Sequence, residues 1–463
     1  MDLYGIFRAC GAVATDSRTV RSGELFFGLK GENFDGSEYA FRALEAGAAR
    51  AVVAGGSEAA HSGDARVIAV PDPLEALQEL ARIHRRTMQT AGGRLPVIGL
   101  TGTNGKTTTK NLIARVLSAK YRVTATEGNL NNDIGVPLSL LRIGPDTQLA
   151  VIEMGANHPD DIKHLVRVCE PDYGLVTNVG KAHLLGFGSF EGVKRAKGQL
   201  YDYIHEHGGS IFINADDPVL EEMAAAREGL KRIEYGVVHE GVRVLPASAG
   251  RPFLRLAFQP GASAPSRHPG CTGEAENVGK EGCGEALVLE TRLAGAYNAA
   301  NVMAAIAVGR HFGVPLEDAV RAIGEYVPDN NRSQLEKTER NLLIEDAYNA
   351  NPTSMAAALD HFSQVEAARK AALLGDMREL GAESVPEHIA VLRKAESLGL
   401  DLLCLVGEEF GKALGRLGPR PDVKWFATSE DLAGWLRSHP VSGTTILVKG
   451  SRGIRMEKVL PAL

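Results

Sequence analysis

The sequence has few cysteines, no excess of positive charge and no long apolar run. Five cysteines are scattered through 463 residues, so we expect no disulfide framework. The formal net charge of −6 excludes a broad cationic surface for nucleic acid, although backbone N–H groups can bind a phosphate without net charge. No run of about 18 apolar residues occurs, which excludes a membrane-spanning helix. The first residues show no basic leader before an apolar stretch, so we expect a cytoplasmic protein.

What the sequence does contain is typical of a large globular α/β protein. Hydrophobic residues make up 44% and charged residues 23%, a balance that allows sizeable cores. At roughly 100–200 residues per domain, the length predicts two to four domains. Strands alternate with helical stretches from Leu95 onward, which indicates parallel sheets. We therefore predict three α/β domains at 1–92, 93–313 and 314–463, with about 330 as the alternative start of the third.

Short apolar runs bounded by turn residues predict the strands. A helix is predicted at Leu74–Thr90, because two prolines precede it, and Ala91–Gly93 is expected to be a linker. The predicted strands are Glu24–Leu29, Ala48–Ala54, Arg66–Val70, Pro96–Leu100, Arg122–Thr126, Leu149–Met154, Gly174–Asn178, Ser210–Asn214, Leu342–Asp346, Ala371–Gly375, Leu402–Val406 and Thr445–Val448.

The strongest chemical signal is a glycine-rich turn, TGTNGKT, between a predicted strand and a helix. It presents backbone N–H groups and a helix N-terminus to a phosphate, while Lys106 supplies charge and Thr107 offers a hydroxyl to Mg²⁺. The strict Walker pattern would have glycine at Leu100, so the match is to a variant. The alternative is a strand-to-helix turn without a ligand. The residues expected to bind ATP here are Thr103, Asn104, Gly105, Lys106, Thr107 and Thr108.

Two polar residues follow later strands. Glu153 ends an apolar run, at the strand end where α/β sheets place ligand groups, and a carboxylate there can hold Mg²⁺. The alternative for Glu153 is a structural carboxylate in a salt bridge. His183 follows the next predicted strand, which suggests a metal or phosphate role; the alternative is an ordinary surface histidine.

Residues 261–285 differ in composition from the rest of the chain. Proline, glycine, serine and glutamate dominate, which predicts an exposed loop or insertion. His268, Cys271 and Cys283 lie in this stretch, but their spacing fits no zinc pattern and a fourth ligand is missing.

Several long motifs together resemble the Mur ligases, over essentially the whole chain and most weakly in 241–290. They are TGTNGKT, GNLNNDIGVPLSLL (Gly128–Leu141), EMGANHPDDI and TNVGKAHLLGFGSFEGVKRAKGQL. Three further segments are similar to the branch of the family that joins D-alanyl-D-alanine to a UDP-N-acetylmuramoyl-tripeptide: DAYNANPTSM (Asp346–Met355), GDMRELG (Gly375–Gly381) and KGSRGIRME (Lys449–Glu457). The resemblance implies a first domain for the uridine nucleotide, a central P-loop ATPase-like domain and a C-terminal Rossmann-like domain.

The resemblance also implies roles for individual residues. Glu153 and His183 would be metal ligands with Thr107, and Lys197 occupies the position of a lysine that several family members carbamylate. From the residues alone, Lys197 would be a solvated helix residue. A carbamate, unlike an ammonium group, could help to hold a second Mg²⁺. The residues that would bind the UDP precursor are Ser17, Arg18, Lys30, Asn33 and Asp35; here an ordinary polar turn is the alternative.

The remaining implied residues concern the nucleotide and the third domain. Asn298 and Asn301 would read adenine, although Asn298 could instead cap a helix. Arg332 would contact phosphate, and with Lys106, His183 and Lys197 it forms the expected catalytic set. Asp346 would reach the ribose. The residues expected near the dipeptide or the domain interface are Tyr348, Asn349 and Asn351.

The implied reaction is ATP-dependent amide-bond formation through an acyl phosphate, with Mg²⁺, in a monomeric enzyme acting on UDP-MurNAc-tripeptide and D-Ala-D-Ala. Three alternatives remain open at this point. A ligase for the third residue of the peptide usually has an Asp-Asn-Pro-Arg-type motif, which is not found here. A folylpolyglutamate synthase would lack the first block, and a nucleotide switch would hydrolyse ATP without regard to an amine. The third peptide residue (diaminopimelate or lysine) and the tolerance for D-Ala-D-Lac or D-Ala-D-Ser cannot be predicted.

Overall fold

A computed structural model describes residues 2–247, 251–259, 287–328, 334–347 and 349–463. Three units follow one another along the chain, and each is built on a mainly parallel sheet. The model therefore confirms the predicted α/β class. The 261–285 stretch, with His268, Cys271 and Cys283, lies outside the described residues. In the part of the chain that the structure describes, no helix is long and apolar enough to cross a membrane.

The first unit is a four-stranded parallel sheet in the order β1-β2-β3-β4. Its longest helix begins after Asp72, whose carboxylate accepts from the backbone N–H groups of Leu74 and Glu75, and proline at the first helical position suits that start. The strands are β1 (Val13–Ala14), β2 (Leu25–Phe27), β3 (Arg50–Ala54) and β4 (Val67–Val70). The helices are α1 (Leu3–Cys10), α2 (Ala40–Glu45) and α3 (Pro73–Thr87), with 3₁₀ turns at Gly36–Tyr39 and Ala59–His61.

A two-stranded antiparallel hairpin, β5 (Gln89–Thr90) and β6 (Gly93–Arg94), joins the first unit to the second. The predicted linker at Ala91–Gly93 therefore forms the turn of this hairpin and the start of β6. The predicted helix Leu74–Thr90 ends earlier, at Thr87, because Met88 leaves the helical conformation with ψ of 125°.

The central unit contains a six-stranded parallel sheet in the order β12-β11-β10-β7-β9-β8. Buried apolar runs such as VIGLT and LAVIE form its middle strands, as expected for a sheet covered on both faces. The strands are β7 (Val97–Thr101), β8 (Val123–Ala125), β9 (Leu149–Glu153), β10 (Tyr173–Val176), β11 (Ser210–Asn214) and β12 (Lys231–Tyr235). The helices are α4 (Lys106–Leu117), α5 (Gly135–Leu141), α6 (Asp161–Cys169), α7 (Leu184–Phe187), α8 (Phe190–Glu206) and α9 (Pro218–Ala225).

A small antiparallel sheet and two helices complete the central unit. The strands are β13 (Arg243–Leu245), β14 (Phe253–Phe258) and β15 (Leu287–Ala294), and the helices are α10 (Ala299–His311), after a 3₁₀ turn at Ala296–Asn298, and α11 (Leu316–Gly324). Ala319 and Ile323 of α11 lie in the same apolar core as Leu112 of α4 and Leu289 of β15. α11 therefore packs with the central unit, and the start of the third domain, at 314 or about 330, stays a prediction.

The third unit is a six-stranded sheet in the order β16-β17-β21-β18-β19-β20, parallel except for β16 at one edge. This arrangement agrees with the expected Rossmann-like domain. The strands are β16 (Gln334–Lys337), β17 (Leu342–Asp346), β18 (Lys370–Gly375), β19 (Leu402–Val406), β20 (Val423–Phe426) and β21 (Thr445–Lys449). The helices are α12 (Pro352–Gln364), α13 (Ser384–Glu396), α14 (Glu408–Leu417) and α15 (Ser429–Ser438), with 3₁₀ turns at Gly381–Glu383, Arg452–Ile454 and Met456–Ala462.

Candidate active site

One cleft of about 1110 Å³ is lined by all three units. The first unit contributes Glu32 and Gln78, the central unit contributes the glycine-rich turn, and the third contributes the last residues of β17 and β21 and residues between β17 and the first turns of α12. Because the carboxyl ends of parallel strands collect loop residues at one edge, a cleft at this edge is the expected place for ligands.

Most of the residues predicted for the nucleotide and the interface line this cleft. Thr107 and Lys197 are buried in the elements behind it. Arg332 and Tyr348 lie outside the described residues. The predicted residues that line the cleft are Thr103, Asn104, Gly105, Lys106, Thr108, Glu153, His183, Asn298, Asn301, Asp346, Asn349 and Asn351.

The two glycines of the turn are required by its shape. Gly102 has φ of 150°, and a Cβ there would lie 1.9 Å from Oγ1 of Thr177. Gly105 has φ of 77°, and its Cβ would lie 2.6 Å from Oδ1 of Asn301. A side chain at either position would therefore collide with a neighbouring strand end or helix as well as strain the backbone.

Asn178, which follows β10, holds the turn in place. Its side-chain oxygen accepts from the N–H of Asn104 at 3.0 Å, and its carbonyl accepts from the N–H of Thr103 at 3.0 Å. The Lys106 ammonium donates to the carbonyls of Gly102 and Thr103 at 2.9 and 3.2 Å, so it lies directly over the turn. This is a cradle in which a phosphate would meet both a cation and a helix N-terminus.

Glu153 is buried at the end of β9, with 1% of its surface exposed. Its Oε1 accepts from the Thr107 hydroxyl at 3.2 Å and from the Asn131 amide at 2.8 Å, whereas Oε2 is buried without a partner. Glu153 forms no ion pair with any residue that the structure describes, so the alternative of a salt-bridged Glu153 is wrong. A buried, unpaired carboxylate oxygen is costly unless a ligand satisfies it.

His183 lies between the central and third units. Its backbone is left-handed, with φ of 51°, and its Nδ1 contacts Oε2 of Glu379, which follows β18. Burial lowers the pKa of the imidazole, Glu379 opposes this shift, and Lys106 and Lys197 lower the pKa further. His183 is therefore half-buried and paired with Glu379, and its metal or phosphate role stays a prediction.

Lys197 lies in the middle of α8, with 2% of its surface exposed. This corrects the prediction, made from the residues alone, of a solvated lysine. Burial, and then the charge of Lys106, lower the pKa of Lys197 well below its usual value. Its side chain makes no hydrogen bond or ion pair within the described ranges, and burial disfavours the charged form of the amine.

Asn298 and Asn301 form a buried chain of hydrogen bonds with α4. The Thr109 hydroxyl donates to Oδ1 of Asn301, whose amide donates to Oδ1 of Asn298 at 2.9 Å. The Asn298 amide donates to the carbonyl of Ala294 at 2.7 Å. Although Asn298 precedes α10, its side chain makes no capping bond, so the capping alternative is wrong.

Asp346 and Lys449 meet at the ends of adjacent strands β17 and β21. Lys449 has 1% of its surface exposed, and its ammonium also reaches the carbonyl of Asn349 at 3.4 Å. Lys449 was not among the predicted site residues. The signal that could have found it is a lysine at the end of the apolar run TTILVK, where a buried strand meets the cleft.

Asn351 caps the first helix of the third unit. Its Oδ1 accepts from the N–H of Ser354 at 2.9 Å, in a capping box that starts α12. Its amide also donates to Oδ1 of Asn104 at 2.7 Å, so the turn of the central unit and the cap of the third unit are in direct contact.

The five residues predicted for the UDP precursor do not line the cleft. Arg18 is paired with Asp16, and Asp35 accepts from the N–H of Ser37 at the start of a 3₁₀ turn. Lys30 and Asp35 form a backbone bridge. Arg18, Lys30 and Asp35 therefore make contacts within turns, and the binding role of all five residues stays a prediction.

The Mg²⁺ expected from the sequence would have few protein ligands among the described residues. Among the described residues, no three His, Cys, Asp or Glu side chains converge as a ready-made metal site. Mg²⁺ is usually held by one or two carboxylates together with waters and substrate phosphates. The buried, unpaired oxygen of Glu153 beside the Thr107 hydroxyl fits that kind of site.

Comparison with known proteins shows which family the chain belongs to. Three family models match in order: the Mur ligase family catalytic domain at 11–85, the Mur ligase middle domain at 100–309 and the Mur ligase glutamate ligase domain at 331–452. A UDP-N-acetylmuramoyl-tripeptide–D-alanyl-D-alanine ligase of Bacillus subtilis is 34% identical over 97% of this chain and 92% of its own length. The chain belongs to the Mur ligase family.

Two further members show that the similarity extends over the whole chain and its fold. The Escherichia coli ligase of the same description is 33% identical, over 100% of this chain and 95% of its own. The crystal structure of MurF from Acinetobacter baumannii superposes with a TM-score of 0.80 at 29% identity, covering 97% of this chain and 92% of that one. Membership confirms the predicted family, the three-domain α/β fold and the ligase class.

Proposed function

We propose that this Mur ligase joins D-alanyl-D-alanine to UDP-N-acetylmuramoyl-tripeptide at the expense of ATP. The observation that carries the proposal is the full-length similarity to relatives named for this reaction. The cleft supports it, because all three units meet around the glycine-rich turn, and three substrates must meet in one place. We also propose that the enzyme is a monomer. The nucleotide substrates support a cytoplasmic location.

The chemistry must activate a carboxylate that is unreactive toward an amine. A carboxylate oxygen of the tripeptide attacks the γ-phosphorus of ATP, the bond to the bridging oxygen breaks, and ADP leaves. Lys106 and the N–H groups of the turn stabilise the charge on the transferring group. The amine of the dipeptide then attacks the acyl carbon, a C–N bond forms, and phosphate leaves as the amine loses its proton. Closure of the third unit keeps water from the acyl phosphate.

We propose that Glu153 and the Thr107 hydroxyl hold Mg²⁺, with His183 as a further ligand. The unpaired Oε2 of Glu153 supports this role, because an anionic oxygen buried without a donor is suited to a cation. When bound, Mg²⁺ neutralises charge on the phosphates and favours phosphoryl transfer.

We propose that Lys197 is carbamylated and contributes to a second Mg²⁺ site. Carbamylation requires a neutral amine, and the burial of Lys197 favours that form. The nitrogen attacks CO₂, a C–N bond forms and one proton is released, which converts a group with donors only into one with acceptor oxygens. The mass of the intact protein should show one added CO₂ in bicarbonate buffer, and the Lys197→Ala variant should lack it.

We propose that Asn298 and Asn301 contact the adenine and Asp346 the ribose. All three residues line the cleft that contains the glycine-rich turn, which supports contacts with a nucleotide bound there. Arg332 stays in the proposal as the phosphate contact. In the first unit, the residues proposed for the UDP moiety are Ser17, Arg18, Lys30, Asn33 and Asp35. Glu32, which lies between Lys30 and Asn33 in the sequence, lines the cleft. Asn349, Asn351 and Tyr348 stay proposed for the dipeptide side.

The deciding experiment measures phosphate release from MgATP with UDP-MurNAc-tripeptide, with and without D-Ala-D-Ala. We expect release that requires both acceptors, together with a pentapeptide product detected by mass spectrometry. Assays with diaminopimelate and lysine tripeptides would then define the third residue. Release that ignores the dipeptide would contradict the proposal and point to another Mur ligase reaction or to a nucleotide switch.

A further inference from the structure

Two residues with left-handed backbones meet at the boundary between the central and third units. His183 has φ of 51° and Glu379 has φ of 64°. Such conformations are unfavourable for residues with a side chain, and they persist where the surroundings require them. The two residues are 196 positions apart in sequence, so the third unit must be docked for the contact to form.

Two bonds connect Glu379 to the segment that contains His183 and Leu185. The Glu379 carboxylate contacts Nδ1 of His183, and the Glu379 carbonyl accepts from the N–H of Leu185 at 3.1 Å. Gly381 packs nearby, since a Cβ on it would lie 3.3 Å from Cδ1 of Leu185. The loop after β18 therefore fixes both the main chain and the ring of the His183 segment.

The direction of the hydrogen bond decides what the ring can do. An ionised carboxylate has acceptors only, so Nδ1 carries the hydrogen in this contact. In a neutral imidazole, Nε2 then holds the lone pair. His183 lines the cleft while Glu379 does not, so the carboxylate approaches the ring from behind the site. Partners of this kind orient the ring and fix its tautomer.

We propose that Glu379 is a positioning residue, which couples docking of the third unit to the orientation and tautomer of His183 in the active site. In the docked arrangement, the Nε2 lone pair faces the cleft and can bind the cation or a phosphate-bound hydrogen. With the third unit undocked, the ring loses this partner. His183 thus becomes competent only when the dipeptide side of the site is closed, which limits unproductive ATP hydrolysis. The expected effect on catalysis rests on the proposed ligase function, whereas the effect of Glu379 on the tautomer of His183 does not.

A second cross-boundary pair offers a matched control. Lys181 donates to Oε1 of Glu387 at 2.7 Å, two residues before His183 in the same loop, and Glu387 lies in the first turn of α13. This pair also joins the central unit to the third, but neither residue lines the cleft or contacts His183. A carboxylate that acts only as a docking contact should behave like Glu387.

The test compares Glu379→Ala, Glu379→Gln and Glu387→Ala in the full-length protein. ¹⁵N NMR of histidine-labelled protein reports the His183 tautomer with and without a nonhydrolysable ATP analogue, Mg²⁺ and both acceptors; a His183→Asn sample assigns the signal. Small-angle scattering reports closure of the third unit. Steady-state kinetics separate kcat from KM for the dipeptide.

We expect the wild type and Glu387→Ala to show the Nδ1–H tautomer in the closed state, and Glu379→Ala to lose it while still closing. The kcat of Glu379→Ala should fall on the order of 10–100-fold, as for other partners that orient a ligating histidine. Gln keeps a carbonyl acceptor, so Glu379→Gln should retain the tautomer and part of kcat.

Three results would overturn the inference. They are an unchanged tautomer in Glu379→Ala, a loss shared equally by Glu387→Ala, or a change confined to KM. A protein without ligase activity would instead contradict the proposed function, and the NMR comparison would still test the positioning role.

Discussion

Asn104 and Asn351 join their side-chain amides across the boundary between the central and third units. The Asn351 amide donates to Oδ1 of Asn104 at 2.7 Å, and the Asn104 amide donates back to Oδ1 of Asn351 at 3.4 Å. One partner lies in the glycine-rich turn, and the other caps α12. The position of the phosphate-binding turn and the docking of the third unit therefore depend on the same pair.

The Asn351 side chain both caps α12 and contacts Asn104, and two substitutions should separate these roles. Asn351→Ala should lose about 2 kcal/mol of stability through the cap and the contact with Asn104, whereas Asn351→Ser keeps a capping oxygen and should lose only the contact, about 1 kcal/mol. Both lose the contact with Asn104, worth about 1 kcal/mol, so the KM for the dipeptide should rise about fivefold in both. Thermal unfolding and steady-state kinetics measure the two effects.

A cap far from the cleft provides the control for this pair. Thr428 starts α15 with a capping box to Asp431, on the outside of the third unit. Thr428→Ala should lose about 1 kcal/mol, the share of the loss that comes from a cap, without a change in KM. Normal kinetics in Asn351→Ser would refute a role of the amide pair in closure.

Gly102→Ala should abolish nucleotide binding and lower stability by roughly 2–3 kcal/mol. The new Cβ would lie 1.9 Å from Oγ1 of Thr177, so either the turn or β10 must move. Gly415→Ala is the matched control, because Gly415 lies in α14 with open space around its Cβ position; it should gain about 0.5–1 kcal/mol. Calorimetry of unfolding and titration with ADP measure both variants. Wild-type ADP affinity in Gly102→Ala would disprove the role of this turn.

The sequence predicted the interior of each sheet better than its edges. Ser210–Asn214, Leu342–Asp346 and Leu402–Val406 begin and end as expected, because apolar runs buried on both faces leave few alternatives. The edge strands β12 and β20 were missed. Their sequences, KRIEY and VKWF, are short and contain charged residues, so neither forms a continuous apolar run.

The residues of the candidate site that lie at strand ends could be predicted from the sequence. Glu153 and Asp346 end apolar runs, and parallel topology brings such ends to one edge. The contacts between units were not predictable, since Asn104 and Asn351 are separated by 247 positions and nothing local indicates their pairing. The burial of Lys197 was also invisible, because the sequence of α8 places charged residues on either side of it.

Glu345 predicts a pH dependence of stability that is independent of catalysis. Burial, and then a hydrogen bond and repulsion from Glu336, raise its pKa from the usual value to about 7. The protonated form is favoured by folding, so its stabilising contribution is complete below about pH 4.5 and is lost as pH rises through 7. Glu345→Gln should therefore raise Tm by a few degrees at pH 8 and change it little at pH 4.5.

The comparison for Glu345 is Glu336→Gln, which removes the repulsion but leaves the buried carboxyl. It should give a smaller gain at pH 8 than Glu345→Gln, because burial is the larger cause of the shift. Melting curves across pH 4.5–8 test the order. A difference between Glu345→Gln and the wild type that does not vary with pH would contradict the raised pKa.

The side chain of Arg85 connects the first unit to the central one. It is fully buried in α3, and its guanidinium donates to the carbonyl of Leu95 at 2.9 Å and to Oδ2 of Asp172 at 2.7 Å. Arg85→Ala leaves the Asp172 carboxylate and two backbone carbonyls without this donor; because water reaches the 32% exposed Asp172 side chain, we expect a loss of roughly 2–3 kcal/mol. Because Asp172 also accepts from the N–H of Val97, Arg85→Met combined with Asp172→Asn should recover part of that loss. Chemical denaturation of the single and double variants gives the coupling; equal losses in all of them would mean that packing of the side chain, rather than its charge, secures α3 against the central sheet.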